Sequence, residues 1–506
     1  MPVGQASKRV GRARLPDRAA DPRSGRPSTQ LAVDRPAGVF RAVPSIIGVS
    51  RLRLWLAFGP VLFFGTAAAI ADTGATPATG SSTSATPNIL LIVADDLGVN
   101  DLGFSRITEG AVAVSGSSQQ PSVTPVIDRL ARSGRRFSRF YTDSSCAATR
   151  AGLITGRPPA ALGFRPAGDG IASEIVTLPE ALQRQGYRTV HIGKWHLGFR
   201  DRGAWPLQQG YDDFFGFLNQ FLLQTPAGER QLHRPGYRNP WLQTGNEQRR
   251  PYQGHLSELL VKAATERLAQ LKERDSPWFM SFWSYAPHAP LQPASVVTPA
   301  RDDSGAERYR AMLRTLDWQL AQLVAALKAT DQFDRTLIVF LGDNGGTARH
   351  AASNDPLPGA KGFFYEGGVR VPMFVRGPGI RPNTSHEAVA SYLDLSRALQ
   401  RFAAAGATDQ RRSEQLLASL SEARERFWHR DANTWSVLSD DGRVRLVVDA
   451  LNPRGLLHRS DAWGTPEAIA SADTRRVLEQ AHEQWSKTQR RVAVRDEAGP
   501  GGQRRL

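Results

Sequence analysis

A single cysteine, Cys146, opens the stretch Cys-Ala-Ala-Thr-Arg-Ala-Gly-Leu-Ile-Thr-Gly-Arg, which places Arg150 four residues after it. The apolar run from Ala147 to Thr155 reads as a helix that begins at the cysteine, with Gly156 placed to end it. Residues four apart share a helix face, so a nucleophile precursor and a fixed cation would stand together at a helix N-terminus. The free N–H groups and partial positive charge there suit an anion. By itself a lone cysteine is more often a small buried hydrophobe. The residues elsewhere in the chain point instead to sulfate or phosphate chemistry.

Two segments repeat one pattern. Asn88 to Ala94 is continuously apolar after its first residue and ends in Asp95-Asp96, while Thr336 to Leu341 is apolar and leads into Gly-Asp343-Asn344-Gly-Gly. Such runs read as parallel strands buried on both faces. Open α/β sheets bind ligands at the carboxyl ends of their strands. Three carboxylates and an amide oxygen form a hard donor set that suits Ca²⁺ or Mg²⁺ and not Zn²⁺. Three further strand ends carry chemistry-bearing residues. Tyr187 to Ile192 alternates as a strand and precedes Gly-Lys194-Trp-His196, so Lys194 and His196 point the same way if the segment stays extended. Trp278 to Tyr285 precedes Ala-Pro-His288, and Lys361 stands shortly before the strand Val369 to Val375. The chain has 57 Arg and only 7 Lys, so two lysines inside these motifs are informative.

The elements that must position these residues follow from periodicity. A helix after Thr124-Pro125 has Val126, Ile127 and Leu130 on one face and Gly134 as its stop. Thr177-Leu-Pro-Glu180 is a capping box for a helix that ends at Gly186. Tyr309, Met312, Leu316, Leu320, Leu323 and Leu327 follow helical spacing and read as core. Residues 219–258 have no clear period and read as a long loop over the site. Residues 386–427 read as amphipathic helix, Trp435 to Val448 as a hairpin around Asp440-Asp-Gly442, and 466–490 as a final helix.

The organisation expected is a disordered basic leader and signal peptide over 1–71, a linker over 72–86, a catalytic domain over 87–385, a smaller domain over 386–490 and a basic tail over 491–506. Arg51-Leu-Arg53, an apolar run from Leu54 to Ile70 broken by Gly59-Pro60, and the exit Ala69-Ile-Ala71 describe a secretory signal cut after Ala71. The protein would associate with a membrane only if that segment stayed uncleaved. The long stretch before it points to a start codon downstream of Met1. Half of the formal charge of +16 lies in residues 1–53, the rest is spread over a mildly basic body, and basic residues do not alternate with aromatics, so no nucleic acid is expected as partner. One cysteine excludes an internal disulfide framework.

In this order the motifs resemble the type I sulfatases of the alkaline phosphatase superfamily. The resemblance runs from Asn88 to about Gly379 through Asp95-Asp96-Leu-Gly, Cys146-Ala-Ala-Thr-Arg150 with Thr155-Gly-Arg157, Gly193-Lys-Trp-His-Leu-Gly198, Ala286-Pro-His288, Gly342-Asp-Asn-Gly345, and Lys361-Gly with Glu366-Gly-Gly. It implies an α/β fold with a large mixed β-sheet flanked by helices and a smaller C-terminal α+β domain. It implies an enzyme that hydrolyses the sulfate monoester of a sulfated small molecule or glycan, and the signal pattern before Ala71 places it in the periplasm or outside the cell.

The resemblance further implies that a formylglycine-generating maturation enzyme oxidises Cys146 to an aldehyde that hydrates to a diol. One diol oxygen attacks sulfur and the other expels sulfate afterwards, an exit that a serine lacks. Asp95, Asp96, Asp343 and Asn344, with the converted Cys146, would bind Ca²⁺, or Mg²⁺ as the other hard cation. Arg150 would hold the diol, Lys194 and Lys361 the sulfate oxygens, His288 would protonate the leaving oxygen and His196 would assist the diol. Two features depart from the family pattern: Ala148 stands where Pro is usual in the maturation motif, and the C-terminal region has no clear Asp-Gly-x-Ser segment. The related alternatives are a phosphodiesterase or phosphonate monoester hydrolase of the same superfamily, and an inactive relative that binds sulfated glycans.

Overall fold

The computed structural model describes residues 85–108, 111–112, 122–163, 170–223, 236–404, 407–422, 426–460 and 468–497. The leader, the signal segment and most of the linker lie outside the described residues. Its strands are β1 (Asn88–Ala94), β2 (Ile107–Thr108), β3 (Ala111–Val112), β4 (Arg135–Tyr141), β5 (Arg188–Lys194), β6 (Asp213–Phe217), β7 (Trp241–Thr244), β8 (Arg250–Pro251), β9 (Trp278–Trp283), β10 (Thr336–Gly342), β11 (Arg370–Arg376), β12 (Thr384–His386), β13 (Ala390–Ser391), β14 (Phe427–Asp431), β15 (Thr434–Leu438), β16 (Val444–Val448) and β17 (Leu456–Arg459). The helices are α1 (Pro125–Arg132), α2 (Cys146–Thr155), α3 (Leu178–Gln183), α4 (Leu256–Lys272), α5 (Gly305–Ala329), α6 (Glu366–Val369), α7 (Tyr392–Ala403), α8 (Asp409–Ser421) and α9 (Ala472–Glu497).

An 11-stranded mixed sheet runs in the order β12-β4-β11-β10-β1-β9-β5-β6-β7-β8, with β13 also on β4. Its centre is parallel: β1 pairs with β10 on one side and β9 on the other, and β9 pairs with β5. Alternate β1 side chains enter opposite cores. Leu90, Ile92 and Ala94 pack with α1, α4 and α5, while Ile89, Leu91 and Val93 pack with α2, α3, α7 and α8. That two-sided burial is why β1 and β10 are apolar without interruption. A separate sheet, β14-β15-β16-β17, forms the smaller C-terminal unit, and Leu478 of α9 packs on its Val437, Leu446 and Leu457.

Several sequence expectations change in detail. Strand β5 continues to Lys194, and His196 has φ +63°, so alternation along an extended segment does not govern Lys194 and His196. The helix after the capping box ends at Gln183, although both bonds of the box between Thr177 and Glu180 are present. The segment 219–258 is not a structureless loop. It contains β7 and β8, which extend the edge of the large sheet, and the first turn of α4, whose Leu256, Leu260, Ala264 and Leu268 are fully buried. The two short strands carry too few residues for a visible period and obtain their order from pairing, β7 with β6 and β8 with β7. The final helix runs later than expected, over Ala472–Glu497.

Candidate active site

The central parallel strands bring the candidate residues to one edge. Ala94 and Gly342 are in register on neighbouring strands, so Asp95 and Asp343 leave the sheet at the same level, and the Asp343 N–H donates to the Ala94 carbonyl oxygen at 3.0 Å. Lys194 is the last residue of β5, and His288 follows β9. Strand β4 leads into the segment before Cys146. Strand β11 is antiparallel to β10, so its beginning, with Lys361 and α6 ahead of it, lies at that same edge. Gly345 permits the close approach of this turn to α6, because a Cβ there would collide with the Gly367 carbonyl oxygen.

Asp95, Asp96, Cys146 and Asp343 form a buried cluster whose ligand atoms all lie within 4.8 Å of one another. The Cys146 Sγ is 3.2 Å from Asp95 Oδ1 and 3.6 Å from Asp96 Oδ1. Asp96 has φ +62°, a conformation uncommon for a non-glycine residue, and its N–H donates to Asp343 Oδ1 at 3.1 Å. Asn344 donates Nδ2 to Asp96 Oδ1 at 3.0 Å, while its Oδ1 is buried with no hydrogen-bond partner among the described residues. An unpartnered buried oxygen beside three carboxylates fits a hard divalent cation. The Cys146 thiol is a poor ligand for such an ion, and an oxygen at that position would complete the set.

Three cations balance the carboxylates. Arg150, fully buried, donates Nε and Nη2 to Asp343 Oδ2 at 3.1 and 2.7 Å, Nη2 to Asp95 Oδ2 at 3.2 Å, and Nη1 to the Lys194 carbonyl oxygen at 3.0 Å. Lys194 Nζ reaches Asp95 Oδ2 at 2.5 Å. Lys361 Nζ reaches Asp96 Oδ1 at 2.5 Å and Cys146 Sγ at 3.2 Å. Burial alone would raise the Asp95 carboxyl, but Lys194, His288, Arg150 and Lys361 hold it well below the usual carboxylate range. Asp96 is lowered in the same way, with His288 and Lys361 outweighing burial. Asp343 is instead pushed up to about 6, by burial and by Asp95, despite Arg150. Burial, Asp343 and Asp95 push the Cys146 thiol well above its ordinary value. The unmodified side chain is therefore a protonated thiol and a weak nucleophile.

His288 donates Nδ1–H to the Ala289 carbonyl oxygen at 2.6 Å and turns Nε2 toward Asp96 Oδ2 at 3.5 Å. Burial lowers its pKa, and Asp96 and Asp95 offset part of that. Tyr237 fixes its turn by donating its hydroxyl to the carbonyl oxygens of Tyr285 and His288, both at 2.8 Å. His196 has a buried Nδ1 without a partner among the described residues, and burial with Lys194 and Arg150 lowers its pKa well below the ordinary value.

The sequence reading missed the support from the small sheet. Trp428 Nε1 donates to the Thr142 carbonyl oxygen at 2.8 Å, and Arg445 Nε donates to Glu366 Oε1 at 2.8 Å. Tyr237 was hidden in the segment read as a loop. Its isolated aromatic between Gly and Pro residues was the available signal.

Comparison with known proteins agrees with this geometry. A family model described as Sulfatase matches residues 87–403. Mouse arylsulfatase J is 30% identical over 316 residues, covering 60% of this chain and 50% of its own length. Human arylsulfatase A is 32% identical over 355 residues, covering 65% of this chain and 66% of its own length. The chain thus spans between half and two thirds of the length of these curated relatives. Among solved structures, Ps i-CgsB in complex with k-i-k-neocarrahexaose superimposes with a TM-score of 0.66 at 26% identity, over 82% of this chain and 98% of that one. With the matched region beginning at the first buried strand and enclosing every residue of the strand-end cluster, the chain belongs to the sulfatase family.

Proposed function

We propose that the protein hydrolyses sulfate monoesters, with residue 146 converted to formylglycine. The observation that carries this reading is the meeting of Asp95, Asp96 and Asp343 with Cys146, Arg150, Lys194 and Lys361 at a single point. Asp95, Asp96, Asp343 and Asn344 would hold Ca²⁺. When bound, the ion supplies Lewis-acid stabilisation of charge on the sulfate oxygens.

The chain's own groups do the rest. Arg150 is locked to Asp343 and Asp95 and stands one helical turn behind residue 146, where it neutralises charge on that side chain. Lys194, held on Asp95, and Lys361, held on Asp96 and beside Cys146, would each contact a sulfate oxygen. With Nδ1–H committed to Ala289, His288 presents Nε2 as the atom that carries a proton to the leaving oxygen. An arriving sulfate anion would raise the pKa that burial has lowered. His196, with its buried Nδ1 unpartnered among the described residues, would assist the hydrated aldehyde.

The neocarrahexaose bound by one structural relative supports a sugar as the group that carries the ester. No described helix is long and apolar enough to cross a membrane. The proposed periplasmic or secreted location rests on the signal pattern before Ala71, and N-terminal sequencing of the mature protein tests it.

Two measurements test the main reading. The intact mass of the peptide containing Cys146 should be about 18 Da below that of the cysteine form after maturation, as oxygen replaces sulfur in an oxidised residue. This asks directly whether Ala148 permits maturation. Turnover of 4-nitrophenyl sulfate should exceed that of bis(4-nitrophenyl) phosphate. The reverse order would make the protein a phosphodiesterase.

A further inference from the structure

The small sheet offers one exposed cation to the rim of the site. Arg430 lies near the end of β14, and its Nη2 donates to Ser144 Oγ at 3.2 Å and to the Gly362 carbonyl oxygen at 2.9 Å. Its guanidinium lies 5.3 Å from the centre of the Phe364 ring. Ser144 precedes Cys146 by two residues and Gly362 follows Lys361 directly. These two segments are themselves joined, since the Gly362 N–H donates to the Ser144 carbonyl oxygen at 2.8 Å. Arg430 therefore sits over the seam between the segments that carry Cys146 and Lys361.

Its electrostatic situation differs from that of its neighbours. Arg150, Lys194 and Lys361 are each matched to carboxylates of the cluster. Arg430 is exposed and forms no ion pair among the described residues, although its charge offsets part of the rise that burial gives the nearby Asp143 carboxyl. Both of its hydrogen bonds use Nη2, so Nε and Nη1 make none to a described residue. An arginine already immobilised by two bonds and an aromatic face has little rotamer entropy left to lose on binding. With Nη2 committed, Nη1 and Nε lie on different edges of the guanidinium, and each can give a single charge-assisted hydrogen bond to a sulfate or carboxylate oxygen.

We propose that Arg430 is a specificity-determining residue that binds a second anionic substituent of the substrate, beyond the reacting sulfate. The substrate class is then a polyanionic sugar carrying either a further sulfate or a uronic carboxylate. The inference rests on the sulfatase reading above.

The test compares wild type with Arg430→Gln and Arg430→Lys on three substrates: 4-methylumbelliferyl sulfate, a disulfated disaccharide, and a monosulfated disaccharide containing a uronic acid. For Arg430→Gln, kcat/KM on a disaccharide, divided by that on the aryl sulfate, should fall roughly tenfold through KM, the usual scale for losing a charged hydrogen bond. Arg430→Lys should recover part of the loss. The disaccharide with the larger fall identifies the anion. An equal loss on all three substrates would mean that Arg430 only holds the two segments together, and no loss on any would remove it from recognition; either result overturns the proposal. If matured wild type releases sulfate from none of them, the sulfatase reading fails. Calorimetry with a heparin tetrasaccharide then decides the Arg430 question separately. Weaker binding by Arg430→Gln supports it, and equal affinity overturns it.

Discussion

Two groups of buried charges lie at the same edge of the large sheet, the strand-end cluster and the pair Glu366–Arg445. In the pair, Glu366 Oε1 accepts from Arg445 and Oε2 accepts from the Tyr141 hydroxyl, each at 2.8 Å. Arg445 lies 4.2 Å from the centre of the Trp428 ring. Burial would raise the Glu366 carboxyl, but Arg445 and Arg370 bring it below its usual value. Both carboxylate oxygens have found their partners, and the small sheet is fastened there to the start of β11. The strand-end cluster is left open. Asp343 is held at about 6, Asn344 Oδ1 has no partner among the described residues, and Asp96 adopts a left-handed backbone conformation. A carboxylate with both oxygens partnered reads as a fastener, although Arg445 Nη2 is buried with no partner among the described residues. A cluster in which one carboxyl is pushed up to about 6 and a buried oxygen is orphaned reads as a receptacle for positive charge.

Substitutions separate the two kinds of site. The largest effect is expected at residue 146: Cys146→Ser should lower kcat by a factor on the order of 10⁴ to 10⁶ while circular dichroism and melting temperature stay close to wild type. A serine enzyme with near wild-type rate would eliminate the covalent role. Asp343→Ala should weaken calcium binding and turnover together, measured by calorimetry and sulfate release, with a loss of about 10²-fold or more in rate. Calcium affinity that did not change would take Asp343 out of the receptacle. If the receptacle is filled in wild type, EGTA should also lower the melting temperature, because an ion at 100 times its Kd stabilises by about 2.7 kcal/mol.

The fastener should respond through stability. Arg445→Ala leaves Glu366 buried and uncompensated and should cost about 3–5 kcal/mol in denaturant unfolding. Adding Glu366→Gln to it should recover much of that loss, and no recovery would show that the pair is not the cause. A smaller effect is expected at Asp317, a buried carboxyl that accepts from the Val126 and Ile127 N–H groups and forms no ion pair among the described residues. Burial pushes its pKa up to about 6. Its stabilising contribution is therefore full below about pH 4 and is lost as pH rises through 6, by at most about 3 kcal/mol. Asp317→Asn should flatten that part of the stability profile, and an unchanged profile would reject the assignment.

Local sequence carried much of the site. The apolar runs of β1 and β10 with their terminal carboxylates, the cysteine at the start of α2, and Gly156 at its end with φ +64° were all legible, because each is encoded within about ten neighbouring residues. Short edge strands were not legible, since β7 and β8 owe their order to a partner strand. Nor was the contribution of the small sheet. Trp428 meets Thr142 across 286 residues of sequence, and Arg445 meets Glu366 across 79. Such pairs leave no periodic trace in either segment.

The sequence by itself therefore determined which side chains stand at strand and helix ends, and so which chemistry is available. Only the tertiary structure decided their company: that Asp96 contacts Asp343 across 247 residues, that Lys361 touches Cys146, and that Arg430 lies over both segments. The reason is physical. Periodicity and capping are short-range properties of the chain, whereas charge balance in a buried site depends on which distant segments the packed sheet brings within a few ångströms.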